Sequence, residues 1–321
     1  MKILVIQNKM GIGDMIIYLP FIKAISKKFN TTVSILVKES SKAEQFLKNS
    51  NFIDKIIILE RNNKLKSDRH EGLIGFYNLI RDLRQYSFDK VFIFNSSFRF
   101  NLIAKIAGIK SVHQYQLFKK KNQHIITTAN NFLKKEIDLD VKSDPQILID
   151  KKLMNETKLR YEIKDNQLNI LLGIGGSGTT KRIPSKIFIK FMDLVSKNYD
   201  CKFFLATGKN EEEQIILNEI LNSDFKEKCL PLDNLELKEI MPIIKNCKIS
   251  ICNDSSFSHL SAALGIQTIV LMSDTPLLYG SYSPRMHPII PDGESSVTHD
   301  TKGKEKINPK KILEKLNNIL N

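Results

Sequence analysis

The chain has 321 residues, of which 42% are hydrophobic and 26% charged, with a formal net charge of +14. This composition is typical of a globular protein long enough for two domains, which excludes a disordered chain and a peptide-sized binding module. The longest apolar runs fall short of the roughly 20 residues that a bilayer-spanning helix needs, and the N-terminus lacks a signal-peptide pattern. We therefore expect no transmembrane segment and a cytoplasmic location.

Strand-like apolar runs alternate with helix-length amphipathic segments along the whole chain. In the first half the runs begin at Lys2, Thr31, Lys55, Lys90 and Ser111, and in the second half at Asn169, Cys201, Lys228, Ile249 and Thr268. In the second half, helices are predicted to begin near Pro184, Glu211, Leu235 and Ser255, and after Pro309. Alternation of this kind predicts βαβ units and parallel sheets.

The predicted fold class is α/β, with two Rossmann-like doubly wound parallel-sheet domains facing a cleft. Pro145 lies in a charged segment, 136–152, that is typical of a crossing between domains. We predict one domain over residues 1–155 and a second over 156–321, and the helix after Pro309 is a candidate to pack back on the first domain. Such folds bind ligands at the carboxyl ends of their strands.

The net positive charge of the chain comes entirely from its first half. Residues 1–160 hold 29 lysine and arginine residues against 15 acidic ones, whereas residues 161–321 hold 20 of each. The asymmetry indicates either a lysine-rich surface of no special role or an anionic partner, such as a phosphorylated substrate, an anionic membrane or nucleic acid. Since no helix-turn-helix, zinc-finger or aromatic RNA-binding pattern accompanies the charge, nucleic acid is not the expected partner.

Metal-binding patterns are weak in this sequence. The cysteines are Cys201, Cys229, Cys247 and Cys252. They form no CxxC pair and lie in or beside apolar segments, where a reduced cysteine acts as a small hydrophobic residue. Asp138 and Asp140 form a DxD pair, but it lies in a charged connecting segment that we interpret as solvated. We expect no metal.

A glycine-containing turn after the first strand leads to a carboxylate at a helix start. Gly11 and Gly13 are predicted to bracket the turn, and Asp14 follows. A carboxylate there stabilises a helix as a cap or by interacting with its dipole. At the mouth of a cleft it could also accept a proton from a substrate hydroxyl. The residues alone leave both roles open.

The loop after the first strand of the second half is rich in glycine and threonine. Gly173, Gly175 and Gly178 match GxGxxG, but the next strand ends at Gly208 without the acidic residue that a dinucleotide site uses. The loop also lacks the P-loop pattern. What remains is a loop with hydroxyl groups and Lys181, which suits it to phosphate oxygens.

A third loop reads NDSSFSHLSAALG. A strand ends at Asp254, and Ser255, Ser256 and His259 follow in the first turns of a short helix. Backbone amides and serine hydroxyls at a helix N-terminus bind anions, and His259 adds a further donor for a diphosphate. As a purely structural alternative, Asp254 caps the helix and His259 fills one of its faces.

Together the three loops resemble the motifs of glycosyltransferase family 9, the bacterial heptosyltransferases of the lipopolysaccharide inner core. The similar segments are MKILVIQNKMGIGDMIIYLPFIKAI, GIGGSGTTKRIPSKIF and NDSSFSHLSAALGIQTIVLMSDTPLLYGSYSP. The resemblance implies a GT-B fold with an N-terminal acceptor domain and a C-terminal nucleotide-sugar domain. It also implies inverting transfer of a heptose from ADP-heptose to an inner-core acceptor, without a metal or another cofactor.

The resemblance assigns roles residue by residue. Asp14 matches the general base and Lys181 the phosphate-neutralising lysine. The implied donor-binding residues are Thr179, Thr180, Lys181, Asn210, Asp254, Ser255, Ser256 and His259, with loop glycines Gly11, Gly13, Gly175 and Gly178. Three places depart from the family pattern: Ile183 replaces Trp, Ser256 and Phe257 replace Gly and a small residue or Pro, and Asn210 lies where relatives often carry Glu.

The implied partners are a nucleotide-sugar donor, an anionic lipid-linked saccharide acceptor and, peripherally, the cytoplasmic face of the inner membrane. Two alternatives stay open at this stage. The enzyme could use another nucleotide-sugar for a surface glycan, or the protein could bind a nucleotide-sugar without catalysis. The departures at Ser256 and Phe257 allow the second alternative, and the departures as a group leave the identity of the sugar or base open.

Overall fold

A computed structural model describes residues 1–9, 11–61, 68–116 and 124–321. The chain divides into two compact units, Met1–Pro145 and Gln146–Asn321. The division falls before the boundary at 155/156 that the sequence suggested, because the charged helix that follows Asp150 packs within the second unit.

The first unit is built on a parallel five-stranded sheet in the order β3-β2-β1-β4-β5. Its strands are β1 (Ile3–Ile6), β2 (Val33–Val37), β3 (Ile53–Ile58), β4 (Lys90–Ile93) and β5 (Ser111–Gln114). The central β1 is buried along its whole length, as a strand covered by helices on both faces must be. All five strands predicted for this half are confirmed.

Helices cover the first sheet. They are α1 (Ile12–Phe29), α2 (Ala43–Leu47), α3 (Gly72–Arg84), α4 (Phe98–Ile106) and α5 (Ile125–Ile137). Helices α3 and α4 pack side by side, and Leu79, Leu83 and Phe100 join side chains of β1 and β4 in one core cluster. Helix α1 packs against α5.

The second unit has a parallel six-stranded sheet in the order β11-β10-β9-β6-β7-β8. Its strands are β6 (Leu168–Gly173), β7 (Cys201–Ala206), β8 (Cys229–Pro231), β9 (Ile249–Asn253), β10 (Gln267–Leu271) and β11 (Met286–Ile289). The sequence did not predict β11. This strand contains Pro288, which lacks an N–H donor and is therefore tolerated at the edge of a sheet.

Six helices complete the second unit. They are α6 (Lys151–Arg160), α7 (Ser185–Ser196), α8 (Glu211–Leu221), α9 (Leu237–Lys245), α10 (Ser256–Ala263) and α11 (Pro309–Leu320). Helix α11 packs on α7, and Ile312 and Leu316 are buried in the core of the second unit. Ile183 is fully buried in the same core. Over the residues described, no helix is both long and apolar enough to cross a membrane.

Candidate functional site

The motif-bearing loops of the second unit meet at one edge of its sheet. Strands β6, β9 and β10 are neighbours and run parallel, so their carboxyl ends lie side by side. The side chain of Asn253, the last residue of β9, donates to the carbonyl of Ile174 over 2.7 Å and joins the β9 end to the loop after β6. The site is therefore assembled from segments far apart in sequence.

An ion pair forms the centre of this edge. Lys181 Nζ lies 2.8 Å from Asp254 Oδ2, which also accepts a hydrogen bond from the hydroxyl of Thr275. The side chain of Asp254 is only 5% exposed, whereas that of Lys181 is 25% exposed. Burial alone would raise the pKa of the Asp254 carboxyl, but the nearby Lys181 and His259 and the two hydrogen bonds outweigh it, so this pKa is lowered. Asp254 is thus a buried carboxylate and not the cap of α10.

His259 lies one turn into α10 and is buried. Its Nδ1 is 2.9 Å from the hydroxyl of Tyr282, and the two rings stack with centroids 5.5 Å apart. The structure thus brings Lys181, Asp254 and His259 together, as the sequence predicted. It also places His259 on a buried face of α10, against the ring of Tyr282.

The N-terminus of α10 is a ready site for an anion. Ser255 is the N-cap residue and Ser256 the first helical residue; Phe257 follows, half-buried, and the helix forms regularly. The first amides of a helix have no partner within it and carry the positive end of its dipole. Among the described residues, the buried Oγ of Ser255 has no hydrogen-bond partner. A ligand that accepts hydrogen bonds would satisfy these donors.

The glycine-rich loop is held at its backbone. Ser273 donates to the carbonyl of Thr180 over 2.9 Å, and Lys304 Nζ donates to that of Thr179 over 3.1 Å. Lys181 ends the short helical turn Thr179–Lys181 in this loop. The position of Lys181 is therefore fixed by contacts of its neighbours as well as by Asp254.

A buried carboxylate explains two glycines of this region. Glu213 accepts from the amide of Gly176 over 2.6 Å, and Asn210, the N-cap of α8, bonds both to its side chain and to its backbone amide. A Cβ at Gly175 would lie 2.5 Å from one carboxylate oxygen of Glu213, and a Cβ at Gly208 would lie 2.3 Å from the other. Both glycines are thus required by the close approach of Glu213.

Gly178 has a different environment. A Cβ there would meet its nearest atom, of Lys181, at 3.8 Å, an ordinary contact, and its φ of −131° suits any residue. The three glycines of GxGxxG therefore do not share one role. Gly178 leaves room for a side chain, whereas Gly175 does not.

Asp14 lies in the first unit at the carboxyl end of β1. Gly11 is the N-cap of α1, and Asp14 is in the first turn, half-buried, with Oδ2 3.4 Å from where a Cβ of Gly11 would lie. Gly13 is already helical, so it does not close the predicted turn. Asp14 therefore interacts with the helix dipole, and the N-cap position belongs to Gly11.

A pocket of about 190 Å³ opens at the carboxyl ends of β4 and β5. This is the edge of the first sheet at which Asp14 follows β1. The pocket is lined mainly by polar side chains, among them Ser96, Gln114, Asn131 and Lys135, with the ring of Phe132. Hydrogen-bonding groups beside an aromatic ring suit a polar ligand with some apolar surface.

Three residues of the second-unit site were missed by the sequence reasoning: Glu213, Thr275 and Tyr282. Thr275 and Tyr282 lie in the third motif without having been assigned a role, and Glu213 lies in the acidic run after Asn210. All three act through contacts with residues distant in sequence, which a single sequence does not display.

The four cysteines and the Asp138–Asp140 pair lie in different surroundings. All four cysteines are free, and burial raises the pKa of Cys201 to about 11 and that of Cys252 to about 12. Asp138 and Asp140 are exposed at the end of α5. Within the described ranges, no group of three or more His, Cys, Asp or Glu residues is placed to hold a metal ion.

Known proteins resemble the chain in sequence. The family profile "Glycosyltransferase family 9 (heptosyltransferase)" matches residues 76–307. Lipopolysaccharide heptosyltransferase 1 of Campylobacter coli is 23% identical over 330 aligned positions, which cover 92% of this chain and 90% of the relative. Lipooligosaccharide heptosyltransferase 2 of Campylobacter jejuni is 27% identical over 248 positions, 74% of each chain.

Solved structures extend the resemblance to the fold. A glycosyl transferase family 9 protein from Veillonella parvula superposes with a TM-score of 0.79 at 17% identity, over 99% of this chain and 97% of that one. The ADP-heptose lps heptosyltransferase II of E. coli gives 0.74 at 19% identity, over 100% and 98%. The expectation of a GT-B fold is confirmed.

Proposed function

Since the chain belongs to glycosyltransferase family 9, the heptosyltransferases, and is therefore a glycosyltransferase, we propose that it acts in lipopolysaccharide biosynthesis. The proposed reaction moves a heptose from ADP-heptose to an inner-core acceptor, with inversion and without a metal. The observation that carries this proposal is the grouping of Lys181, Asp254 and His259 at the N-terminus of α10.

The donor diphosphate is proposed to bind at that grouping. A helix N-terminus contributes about half a positive charge, and Lys181, whose charge Asp254 balances, contributes N–H donors for the phosphate oxygens. Asp254 holds Lys181 in place before the donor arrives. The diphosphate then shares the lysine, and charge that develops on the leaving group is stabilised there, as a metal would stabilise it elsewhere.

Asp14 is proposed as the general base. The proton of the acceptor hydroxyl passes to its carboxylate as the hydroxyl oxygen forms a bond to the anomeric carbon, and the bond from that carbon to the diphosphate breaks. Attack opposite the leaving group inverts the anomeric centre. The acceptor, an anionic lipid-linked saccharide, is assigned to the basic first unit, where the pocket at the ends of β4 and β5 offers hydrogen-bonding groups. The enzyme would work at the cytoplasmic face of the inner membrane.

Transfer with defined substrates tests the proposal. The full chain is incubated with an inner-core acceptor that lacks heptose and with ADP-heptose, or with UDP- and GDP-sugars, in buffer with and without EDTA. We expect the acceptor mass to rise by one heptose only with ADP-heptose, with inverted configuration and no effect of EDTA. Binding of ADP-heptose without transfer would indicate a non-catalytic binding protein, and transfer from another nucleotide-sugar would reassign the donor.

A further inference from the structure

The outer surface of helices α3 and α4 in the first unit carries a concentration of exposed apolar side chains. Leu73, Ile74 and Tyr77 of α3 are 82%, 78% and 69% exposed, and Phe98, the first residue of α4, is 56% exposed. These four residues are called the α3–α4 patch below. Monomeric proteins rarely keep large apolar side chains clustered in water without a function.

The exposure follows from how α3 is packed. Gly75, Leu79 and Leu83 form its buried side, so Leu73, Ile74 and Tyr77 face outward. The register is fixed at Gly75, where a Cβ would lie 2.1 Å from the backbone of His70. These apolar side chains are therefore held in water by a well-packed helix.

Arg99 joins the two halves of the patch. Its guanidinium donates to the carbonyls of Gly72 and His70, both over 3.0 Å, which ties the start of α4 to the start of α3. Phe98 directly precedes Arg99. The patch therefore lies at the N-terminal ends of both helices.

Helices α3 and α4 carry more basic than acidic residues. Arg99 lies at the patch, and Arg81, Arg84 and Lys105 lie in the last turns of the two helices. The acidic residues are already paired: Asp82 with Arg69 and His70, and Glu71, the N-cap of α3, with Arg61. Exposed Leu, Ile and aromatic side chains on helices that also carry arginine and lysine are the pattern of a helix that lies in the interface of an anionic bilayer.

We propose that the α3–α4 patch docks the protein on an anionic phospholipid surface. Charge complementarity favours this occupant over a second copy of the chain, because two chains of net charge +14 repel each other. Helices α3 and α4 begin at the carboxyl ends of β3 and β4, the same edge of the sheet at which Asp14 follows β1. If the N-terminal ends of α3 and α4 contact the lipid, the edge of the first sheet that carries Asp14 also faces the lipid. The inference rests on the proposed function only in that a lipid-linked acceptor would be presented there.

The chain contains no tryptophan, so the fluorescence of one introduced tryptophan reports contact with lipid at that position. Ile74→Trp places the fluorophore in the patch, and Leu159→Trp places it on a comparably exposed position of α6 in the second unit. With vesicles of phosphatidylglycerol and phosphatidylethanolamine, we expect the emission of Ile74→Trp to shift to shorter wavelength and to be quenched by brominated lipid. The emission of Leu159→Trp should not change. Equal responses, or none at Ile74, would overturn the proposal.

Sedimentation with vesicles measures the contribution of the patch. Replacing Leu73, Ile74 and Tyr77 together by Ser should lower the vesicle partition coefficient at least about tenfold, since each loses apolar area that lipid would cover. The matched variant, with Leu148, Leu159 and Ile215 replaced by Ser, should bind like the original chain. Binding should weaken with salt and be minor on phosphatidylcholine. If the variant with Leu73, Ile74 and Tyr77 replaced binds vesicles like the original chain, the proposed docking surface is wrong. If the original chain is a dimer in solution and this variant is a monomer, the α3–α4 patch is a self-association surface instead.

Activity in a lipid-free assay separates this inference from the proposed function. With a deacylated, water-soluble acceptor, the variant with three serines should transfer heptose at the original rate. If the original chain binds vesicles through the patch but transfers nothing, the docking surface stands and the proposed reaction fails. If it transfers heptose but does not bind vesicles, the reaction stands and the docking surface fails.

Discussion

The amine of Lys181 and the carboxylate of Asp254 form an ion pair over 2.8 Å, although 73 residues separate them in the chain. The pair couples the glycine-rich loop to the end of β9. It also means that the lysine assigned to the donor phosphates already has an anionic partner. A substitution at either position therefore changes both folding and ligand binding, and the two effects can be separated.

Lys181→Ala is expected to weaken donor binding and to destabilise the fold by about 1 to 3 kcal/mol, because Asp254 stays buried without its cation. The double variant Lys181→Ala with Asp254→Asn should recover much of the unfolding free energy, since no buried charge remains, but not the affinity for ADP-heptose. Denaturant unfolding and titration calorimetry measure the two quantities. Full affinity in the single variant would mean that the lysine does not contact the phosphates.

The lowered pKa of Asp254 makes stability depend on pH. Folding lowers this pKa, so the ion pair stabilises the protein above the unfolded-state pKa of about 3.9, and this stabilisation is lost as the pH falls toward the folded-state value. The difference in unfolding free energy between the original chain and Asp254→Asn should thus be constant near neutral pH and shrink below about pH 4. Urea unfolding across this range measures it. Asp193→Asn, which removes an exposed carboxylate paired with Lys190 and Lys197, should show a much smaller difference.

Asp14→Asn separates proton transfer from helix stabilisation. The N-cap of α1 is Gly11, so the variant loses only the interaction of a carboxylate with the helix dipole, roughly 0.3 to 1 kcal/mol. If Asp14 is the base, transfer should fall by about 10² to 10⁴ while donor affinity stays within a few-fold. Steady-state rates and calorimetry on the same preparation are the measurements. Near-normal turnover would limit Asp14 to stabilising the helix.

Gly208→Ala is expected to destabilise the second unit by about 1 to 3 kcal/mol and to weaken donor binding, because the new Cβ meets the Glu213 carboxylate. That carboxylate cannot easily move away, since it is buried and hydrogen-bonded to Gly176 and Asn210. Gly178→Ala is the matched control and should cost little. In a Glu213→Ala background the destabilisation by Gly208→Ala should be smaller. Denaturant midpoints of the original chain, Gly208→Ala, Glu213→Ala and the double variant test this coupling.

Much of the fold was predictable because hydrophobic periodicity is a local property. The five strands of the first half, and β6, β7, β8, β9 and β10, all stand where apolar runs predicted them. The strand β11 was missed because it is short, half-exposed and interrupted by Pro288. Helix α6 was missed because half of its residues are charged and because the helix on which it packs, α9, is distant in sequence.

The site was predictable as a set of residues but not as a set of contacts. The motifs named Lys181, Asp254 and His259, and the structure brings them together. Lys181 pairs with Asp254, and a side chain at Gly175 would collide with Glu213. Both contacts join residues that are distant in sequence. No spacing rule within one sequence encodes such pairs.

The start of the second unit decides where the chain can be cut for work on isolated halves. The amide of Ile147 donates to the carbonyl of Ala263 at the end of α10, and the side chain of Asn246 donates to the carbonyl of Met154 in α6. A fragment that begins at Gln146 retains both attachments. One that begins at residue 156 loses the first half of α6 and uncovers the surface of α9 beneath it, so a failure of that fragment to express or bind would reflect the cut and not the chemistry of the half.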